Sequence, residues 1–316
     1  MKYFKKSILF IFTIIISVFW SCTESEEKLV DNSIIGIISR TNDLSLLEDA
    51  LNKTGLTETI NSSSNYTLFA PTNMAFQNLL TSLGVSSLND LPVPQLKEIL
   101  LNHLLNGRFL ASDFTTGYMK TLAKGGASDA NFLNLFVNIS SGVRLNGQAS
   151  ISIPNVLASN GIIHVVDEVI TLPTVVTFAS ADPNFSTLVA ALTRPDQPDF
   201  VSILSGTGPF TVFAPTNDAF SSLLTELGAE TLDDIPQFTL ENTLKYHVVS
   251  GSNLLSNTLA NNQIIQTLQG QTFTVNISGN NVSLKDSNDR VSGVIGVDVQ
   301  ATNGVLHILN KVLLPN

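Results

Sequence analysis

Cysteine and tryptophan are the scarcest residues of this 316-residue chain, which contains one of each. Trp20 lies at the end of an N-terminal apolar run, and Cys22 follows it two positions later. If the run is removed and Cys22 is modified, no thiol remains for a disulfide, a cysteine-ligated metal or nucleophilic catalysis. The same removal takes away the one indole ring, and carbohydrate-binding faces favour such rings for stacking.

Charge is also sparse, and its sign disfavours nucleic acid. Only 13% of the residues are charged, well below the ~25% of an ordinary soluble domain, whereas 43% are hydrophobic. Loss of residues 1–21 removes three of the 16 basic residues and none of the 26 acidic ones, which leaves a net charge of −13. We therefore expect no binding to nucleic acid, whose phosphate backbone attracts basic surfaces.

The N-terminus is typical of a bacterial export signal. Its three lysines precede the apolar run: Lys2, Lys5 and Lys6. The run from Ile8 to Trp20 has 13 residues, too few for a membrane-spanning helix, which needs about 20. Ser21-Cys22 then resembles the end of a lipoprotein signal, where the cysteine becomes the acylated first residue. We predict a signal peptide over 1–21 and a lipidated Cys22 with a tether over 22–31; a plain secretory signal with an incidental cysteine is the alternative.

An internal repeat divides the rest of the chain. The 15 residues from Tyr66 to Leu80 recur from Phe210 to Leu224 with ten identities, at an offset of 144. Three shorter blocks recur in the same order: His103 with His247, Val137–Ser140 with Val275–Ser278, and Gly161–His164 with Gly304–His307. Matched blocks in one order indicate two whole domains, because the period is too long for a solenoid. We predict copy one over 32–173 and copy two over 174–316.

The first part of each copy is typical of helices. Thr72 and Asn73, with their counterparts Thr216 and Asn217, follow a short apolar strand and precede a helical pattern. Such residues cap helix N-termini by accepting hydrogen bonds from free N–H groups, so we predict a structural role for all four.

Two further segments, Leu96–Leu105 and Leu240–Val249, have helical patterns and precede Gly107 and Gly251. We predict that these helices continue up to the glycines, which often end helices.

The later part of each copy indicates strands. Thr272–Ser278 alternates polar and apolar residues, and Gly279-Asn280 permits a tight turn into Val282–Leu284. Gly161–Val169 and Gly304–Leu314 are nearly continuous apolar runs, as expected of buried strands. Helices first and strands later predict an α+β fold.

The four histidines occupy two repeated positions. His103 matches His247, and His164 matches His307. A ligand or pH-sensing role is one interpretation; the other, which we favour, is that each is a buried ring holding nearby backbone groups. His164 precedes acidic residues, but it has no second histidine nearby to complete the three protein ligands of a catalytic zinc site, so we predict no metal.

Catalytic motifs are missing from the sequence. It contains no Gly-x-Ser-x-Gly elbow and no phosphate-binding loop. Asp233-Asp234 is an adjacent acidic pair, but its counterpart in copy one is Asn89-Asp90. We therefore predict no catalytic residue and no cofactor.

The repeated blocks resemble a known family. Phe69-Ala-Pro-Thr-Asn-x-Ala-Phe76, its second copy at 213–220 and the two Asn-Gly-x-x-His blocks are similar to the two signature regions of fasciclin domains. The resemblance covers nearly all of the chain after its N-terminus, twice. It implies two tandem fasciclin-like domains, each a β-wedge or sandwich flanked by helices, and a role in cell adhesion or matrix contact.

The resemblance also suggests adhesion residues. Animal members of the family are linked to integrins through a Tyr-His pair and through an Asp-Ile pair shortly before the second signature. Copy two matches with Tyr246-His247 and with Asp298, whereas copy one has Asn102 and Asn155 at the tyrosine and aspartate positions. Tyr246, His247 and Asp298 are therefore the candidate adhesion residues; the alternative is that these side chains serve packing.

Two functional classes follow from these observations. We expect a non-catalytic adhesion lipoprotein of the cell envelope, held at the outer membrane or cell surface by its lipid anchor. Its partner would be an extracellular protein or a glycan. The alternative is a carbohydrate-handling accessory lipoprotein, which loss of the single tryptophan disfavours.

Overall fold

The computed structural model describes residues 30–62 and 65–316, and residues 32–316 form one compact unit that contains both copies. The predicted signal peptide, Cys22 and most of the tether lie outside the described residues. The helices of copy one are α1 (Ile34–Ser39), α2 (Ser45–Thr54), α3 (Leu56–Asn61), α4 (Asn73–Ser82) and α5 (Val93–Leu101). Its strands are β1 (Tyr66–Pro71), β2 (Leu104–Asn106), β3 (Gly117–Gly125), β4 (Ser128–Asn138), β5 (Arg144–Leu145), β6 (Ala149–Ala158) and β7 (Gly161–Val166).

Copy two repeats this order of elements. Its helices are α6 (Val175–Ala181), α7 (Ser186–Leu192), α8 (Phe200–Ser205), α9 (Asn217–Leu227) and α10 (Gln237–Tyr246). Its strands are β8 (Phe210–Pro215), β9 (Val248–Ser250), β10 (Ile264–Gln266), β11 (Thr272–Ser278), β12 (Asn281–Lys285), β13 (Val291–Ala301) and β14 (Gly304–Leu309). The α+β prediction is confirmed in both copies.

The two copies differ in whether the sheet closes. In copy one the strands form a closed barrel in the order β1 to β7, and β7 returns parallel to β1. The closure between β2 and β3 rests on one residue pair, Leu105 with Thr121. In copy two β14 is likewise parallel to β8, but among the described residues β9 and β10 do not pair. Its sheet therefore stays open, in the order β10-β11-β12-β13-β14-β8-β9.

The central parallel strands are buried on both faces. In β1, Leu68 and Ala70 pack with the helices, whereas Phe69 points into the barrel. In β8, Val212 faces the helices and Phe213 packs with the other strands. Continuous apolar sequence is the consequence of burial on two sides.

The predicted hairpin of copy two is confirmed. β11 pairs with β12 in antiparallel register, with Ile277 opposite Val282. Gly279 adopts a φ of +59°, the left-handed conformation that a tight turn requires and that glycine tolerates.

The predicted extent of two helices is wrong. α5 ends at Leu101 and α10 at Tyr246, and a three-residue strand, β2 or β9, begins within three residues of each helix end. Gly107 and Gly251 come after those strands and do not end the helices. The apolar residues that suggested more helix instead pair with β1 and β8, where both faces of the sheet can bury them.

Candidate binding surface

The first signature block joins the start of one helix to the start of another. The hydroxyl oxygen of Thr72 accepts a hydrogen bond from the third N–H of α4 at 3.2 Å, and Thr216 does the same for α9 at 3.3 Å. The amide oxygens of Asn73 and Asn217 accept main-chain N–H groups in the first turns of α2 and α7, both at 2.9 Å. The threonines cap helices, and the asparagines hold two helices together.

The second signature block has a structural role that the sequence analysis did not assign. The Asn160 side chain accepts from the first N–H of α1 and donates to a carbonyl of α3, both at 2.8 Å. Asn303 makes the same two contacts with α6 and α8, at 3.0 and 2.8 Å. The repeated pairs Asn160-Gly161 and Asn303-Gly304 are the sequence signal from which this role could have been predicted.

His103 and His247 join a helix end to the last segment of each copy. The Nδ1 of His103 donates to the Ile99 carbonyl at 2.7 Å, and its Nε2 accepts from Ile170 N at 2.9 Å. His247 makes the equivalent contacts with Thr243 O and Leu313 N at 2.7 and 3.0 Å. One donated and one accepted bond define a neutral ring. Burial lowers the pKa of both imidazoles to about 4, against the opposing effect of the helix carbonyl.

His164 and His307 differ from each other in one contact. Each donates Nε2–H to a loop carbonyl, at 2.8 and 2.7 Å, and burial lowers the pKa of each. The Nδ1 of His164 accepts from Asn155 N at 3.2 Å. The Nδ1 of His307 is buried and has no hydrogen-bond partner among the described residues.

Two of the three candidate adhesion residues have buried side chains. Tyr246 is fully buried, and its hydroxyl donates to Thr272 O at 2.7 Å, beside Ser287. His247 is buried as described above. Neither side chain is available at the surface, so a direct contact with a partner would require copy two to open.

Asp298 lies closer to the surface, on a bulge of β13. It has a φ of +59°, and its carboxylate accepts the main-chain N–H of Ser256 at 2.7 Å as well as the Ser256 hydroxyl. Its counterpart Asn155 has a φ of +62° and accepts from Ala111 N at 2.8 Å. Aspartate and asparagine both tolerate the left-handed conformation. Both copies therefore have a suitable residue at the bulge, with a carboxylate side chain in copy two and an amide side chain in copy one.

Exposed aliphatic side chains flank Asp298. Ile295 is 61% exposed and Val297 46%, whereas copy one has Ser152 and Pro154 at the matching positions of β6. We call Ile295, Val297 and Asp298 the β13 ridge. It is an apolar edge with a carboxylate at its end; copy one has neither the carboxylate nor an aliphatic side chain at these three matching positions.

The β3–β4 hairpin of copy one packs against copy two. The hydroxyl of Tyr118 donates to the buried Asp182 at 3.0 Å, and its ring lies 5.5 Å from that of Phe178, edge to face. Phe136 is part of the core of copy two. Burial raises the pKa of Tyr118 well above its usual range, and the Asp182 charge adds to the effect.

The same hairpin covers the outer edge of β13. The Lys120 ammonium donates to Asp298 O at 3.3 Å, and the Asn134 side-chain oxygen accepts from Gln300 N at 2.8 Å. At the hairpin tip, Ala127 N donates to Thr302 O at 2.8 Å. Three main-chain groups that no strand satisfies are thus paired by another domain, which fixes the two copies relative to each other.

Within 30–62 and 65–316, histidine, cysteine and acidic side chains nowhere gather in a group of three that could hold a metal ion. The helices in these ranges all fall short of the length and apolarity that a membrane crossing needs. The lipidation predicted at Cys22 lies outside them.

The family match divides the chain into the same two copies as the internal repeat. A family model described as the fasciclin domain matches residues 42–173 and 183–315. Human periostin is 29% identical over 265 residues, which cover 83% of this chain and 30% of periostin. Pig transforming growth factor-beta-induced protein ig-h3 is 26% identical over 262 residues, 80% of this chain and 35% of that protein. The chain therefore spans about a third of the length of these two relatives.

A bacterial relative and a solved structure agree with this match. Protein sll1483 of Synechocystis is 37% identical over 142 residues, covering 45% of this chain and 73% of that protein. A FAS1 domain pair from the insect cell adhesion molecule fasciclin I has the same fold, with a TM-score of 0.54 and 20% identity over 86% of this chain and 97% of that one. Since the family model matches most of the chain in two tandem segments, the chain belongs to the fasciclin domain family.

Proposed function

We propose that this chain is a non-catalytic adhesion lipoprotein of the bacterial cell envelope, anchored through Cys22 at the outer membrane or cell surface. In this proposal it binds an extracellular protein or glycan through copy two, and the β13 ridge makes the contact. Tyr246 and His247 lie beneath the surface and stabilise the fold that exposes the ridge.

The observation that carries the proposal is the difference between the copies at one equivalent edge. Copy two exposes Ile295 and Val297 beside the Asp298 carboxylate, whereas copy one has serine, proline and asparagine there. Exposed aliphatic groups with a polar rim favour protein contacts. The family match supports adhesion as the class of function, since a solved structural neighbour comes from an insect cell adhesion molecule.

The test replaces residues of the β13 ridge by their counterparts in copy one, which should weaken binding. Partners would be captured from intact cells and matrix extracts with the chain lacking residues 1–22, then measured by surface plasmon resonance. The variant Ile295→Ser with Asp298→Asn copies the residues of copy one and should weaken binding at least tenfold. Phe238→Ser, which alters an exposed aromatic (73%) elsewhere on copy two, should bind like the parent. Equal affinity of all three proteins would refute the ridge as the contact.

A glycan array distinguishes the alternative function. Selective binding to sugars, with no captured protein and no effect of the ridge variant, would instead indicate a carbohydrate-handling accessory protein. Binding to a protein that the ridge variant abolishes supports adhesion.

Anchoring is tested separately. Cys22→Ala should release the chain from the membrane fraction, because the proposed attachment depends on the acyl chains that Cys22 would carry. Full sedimentation of this variant with membranes after a salt wash would refute the lipid anchor without bearing on the ridge.

A further inference from the structure

The contact between the two copies joins a hairpin of copy one to a strand edge of copy two. Copy one also has the equivalent strand edge and copy two the equivalent hairpin, and the contact uses neither of these. Copy one supplies the hairpin face of Tyr118, Lys120 and Asn134, and copy two supplies the outer edge of β13. The same hairpin in copy two and the same edge in copy one lie at the two free ends of the pair.

The free edge belongs to β6. Leu157 lies opposite Ile162 as Gln300 lies opposite Val305, so Leu157 occupies the place of Gln300 and Asn155 that of Asp298. By this equivalence Leu157 N and Asn155 O point away from β7. On that side, no strand of the described residues pairs with β6 after Ser150.

This edge is apolar as well as unpaired. Leu157 is 64% exposed, whereas Gln300 is buried under the hairpin of copy one. Ile37, on α1, takes the place of Phe178, against which Tyr118 packs. We call Ile37, Asn155 and Leu157 the acceptor edge.

The free hairpin is formed by β10 and β11. Ile265 pairs with Phe273 as Met119 pairs with Leu135. This register puts three residues in the places of Tyr118, Lys120 and Asn134: Ile264, Gln266 and Thr272. We call these three residues the donor face.

The donor face has the chemistry that the acceptor edge requires. Ile264, 69% exposed, is apolar like the Tyr118 ring that it replaces. The Gln266 amide can donate to a carbonyl as Lys120 does, and the Thr272 hydroxyl oxygen can accept from an N–H as Asn134 does. The apolar packing of the Tyr118 ring and the two hydrogen bonds of Lys120 and Asn134 therefore each have a counterpart at the free ends.

We propose that the chain associates head to tail with a second copy of itself, the donor face of one molecule binding the acceptor edge of the next. Ile264 packs on Leu157 and Ile37, the Gln266 amide donates to Asn155 O, and Thr272 Oγ1 accepts from Leu157 N. The two surfaces are different, so the contact is heterologous and leaves a free end at each step.

The association is weaker than the contact within the chain. Lys120 and Asn134 are separated by 13 residues, whereas Gln266 and Thr272 are separated by five, so copy two lacks the tip that reaches Thr302. Molecules held on one membrane would compensate through their raised effective concentration.

Sedimentation velocity on the chain lacking residues 1–22 tests this, at about 10 μM to 1 mM and physiological salt. The parent should show a concentration-dependent series of oligomers. Leu157→Glu removes the acceptor edge and Ile264→Glu the donor face, so each variant alone should be monomeric. Both positions are exposed, and circular dichroism would verify that both variants are folded.

Mixing the two variants gives the decisive result. Each retains the surface that the other has lost, so an equimolar mixture should form dimers and nothing larger. Phe238→Glu, with the same added charge at another exposed site, should assemble like the parent. A parent that stays monomeric at 1 mM, a single variant that still assembles, or a mixture without dimers would each overturn the proposal.

Discussion

At the residue scale, the histidines show how one side chain can hold a fold together. His103 and His247 each bridge a helix carbonyl and a main-chain N–H of the last segment of their copy. Their repetition allowed a buried, backbone-holding role to be predicted from the sequence. The different Nδ1 environments of His164 and His307 were not predictable, because the partner in copy one is a main-chain N–H whose position depends on the β6 bulge.

The buried histidines predict a loss of stability in acid. The folded-state pKa of His103 and His247 is about 4, below the ordinary 6.5, so the unfolded chain binds more protons between these values. The stabilisation is complete above pH 6.5 and is lost as the pH falls to 4, by about 3 kcal/mol for each histidine. Urea unfolding of the parent and of His247→Gln should show a shallower pH dependence in the variant. Parallel curves over this range would contradict the prediction.

Asp298 allows the backbone and the charge to be separated. Asparagine tolerates the left-handed φ and can accept the Ser256 N–H, as Asn155 accepts that of Ala111. Asp298→Asn should therefore change the free energy of unfolding by less than about 1 kcal/mol. Asp298→Ala loses the hydrogen bonds and strains the backbone, so we expect a cost of about 2 kcal/mol. Equal stability of the two variants in urea would show that neither the bond nor the conformation matters.

At the element scale, the sequence predicted strands better where alternation and a turn occurred together. β11, its glycine turn and β12 were predicted from such a pattern. β2 and β9 were missed because Leu104-Leu105 and Val248-Val249 continue a helical pattern without interruption. What makes these residues strands is pairing with β1 and β8, which local sequence does not encode.

The parallel pairing explains the glycine of the second signature block. A Cβ on Gly304 would lie 2.2 Å from the carbonyl oxygen of Phe210, and one on Gly161 equally close to that of Tyr66. Gly304→Ala must therefore move β14 away from β8, which we expect to cost about 3 kcal/mol. Gly126→Ala is the control, since its Cβ would lie 3.7 Å from the nearest atom. Similar unfolding midpoints for both variants would refute the close approach as the reason for this glycine.

At the scale of the whole molecule, the presence of two copies could be predicted from the sequence, but the way in which they pack against each other could not. Tyr118, Phe136 and Asp182 all lie outside the blocks that repeat. The internal repeat therefore gave no reason to predict that these residues join the two copies. The longer hairpin of copy one is the sequence feature that marks the contact. Its additional residues form the tip that reaches Thr302.

Two adjacent glycines at this tip test whether the copies form one rigid body. A Cβ on Gly125 would lie 2.5 Å from the Cα of Thr302, whereas one on Gly126 would meet only the Thr302 oxygen at 3.7 Å. Gly125→Ala must therefore lift the tip from copy two and break the bond from Ala127 N to Thr302 O. Amide hydrogen exchange at Ala127 should become at least about tenfold faster, a change of ~1.4 kcal/mol in protection. Gly126→Ala should leave that rate unchanged, because its methyl group has room. If both variants kept the protection of the parent, the tip would not depend on this approach. The fixed arrangement of the copies would then have to rest on the contacts of Tyr118, Phe136, Lys120 and Asn134.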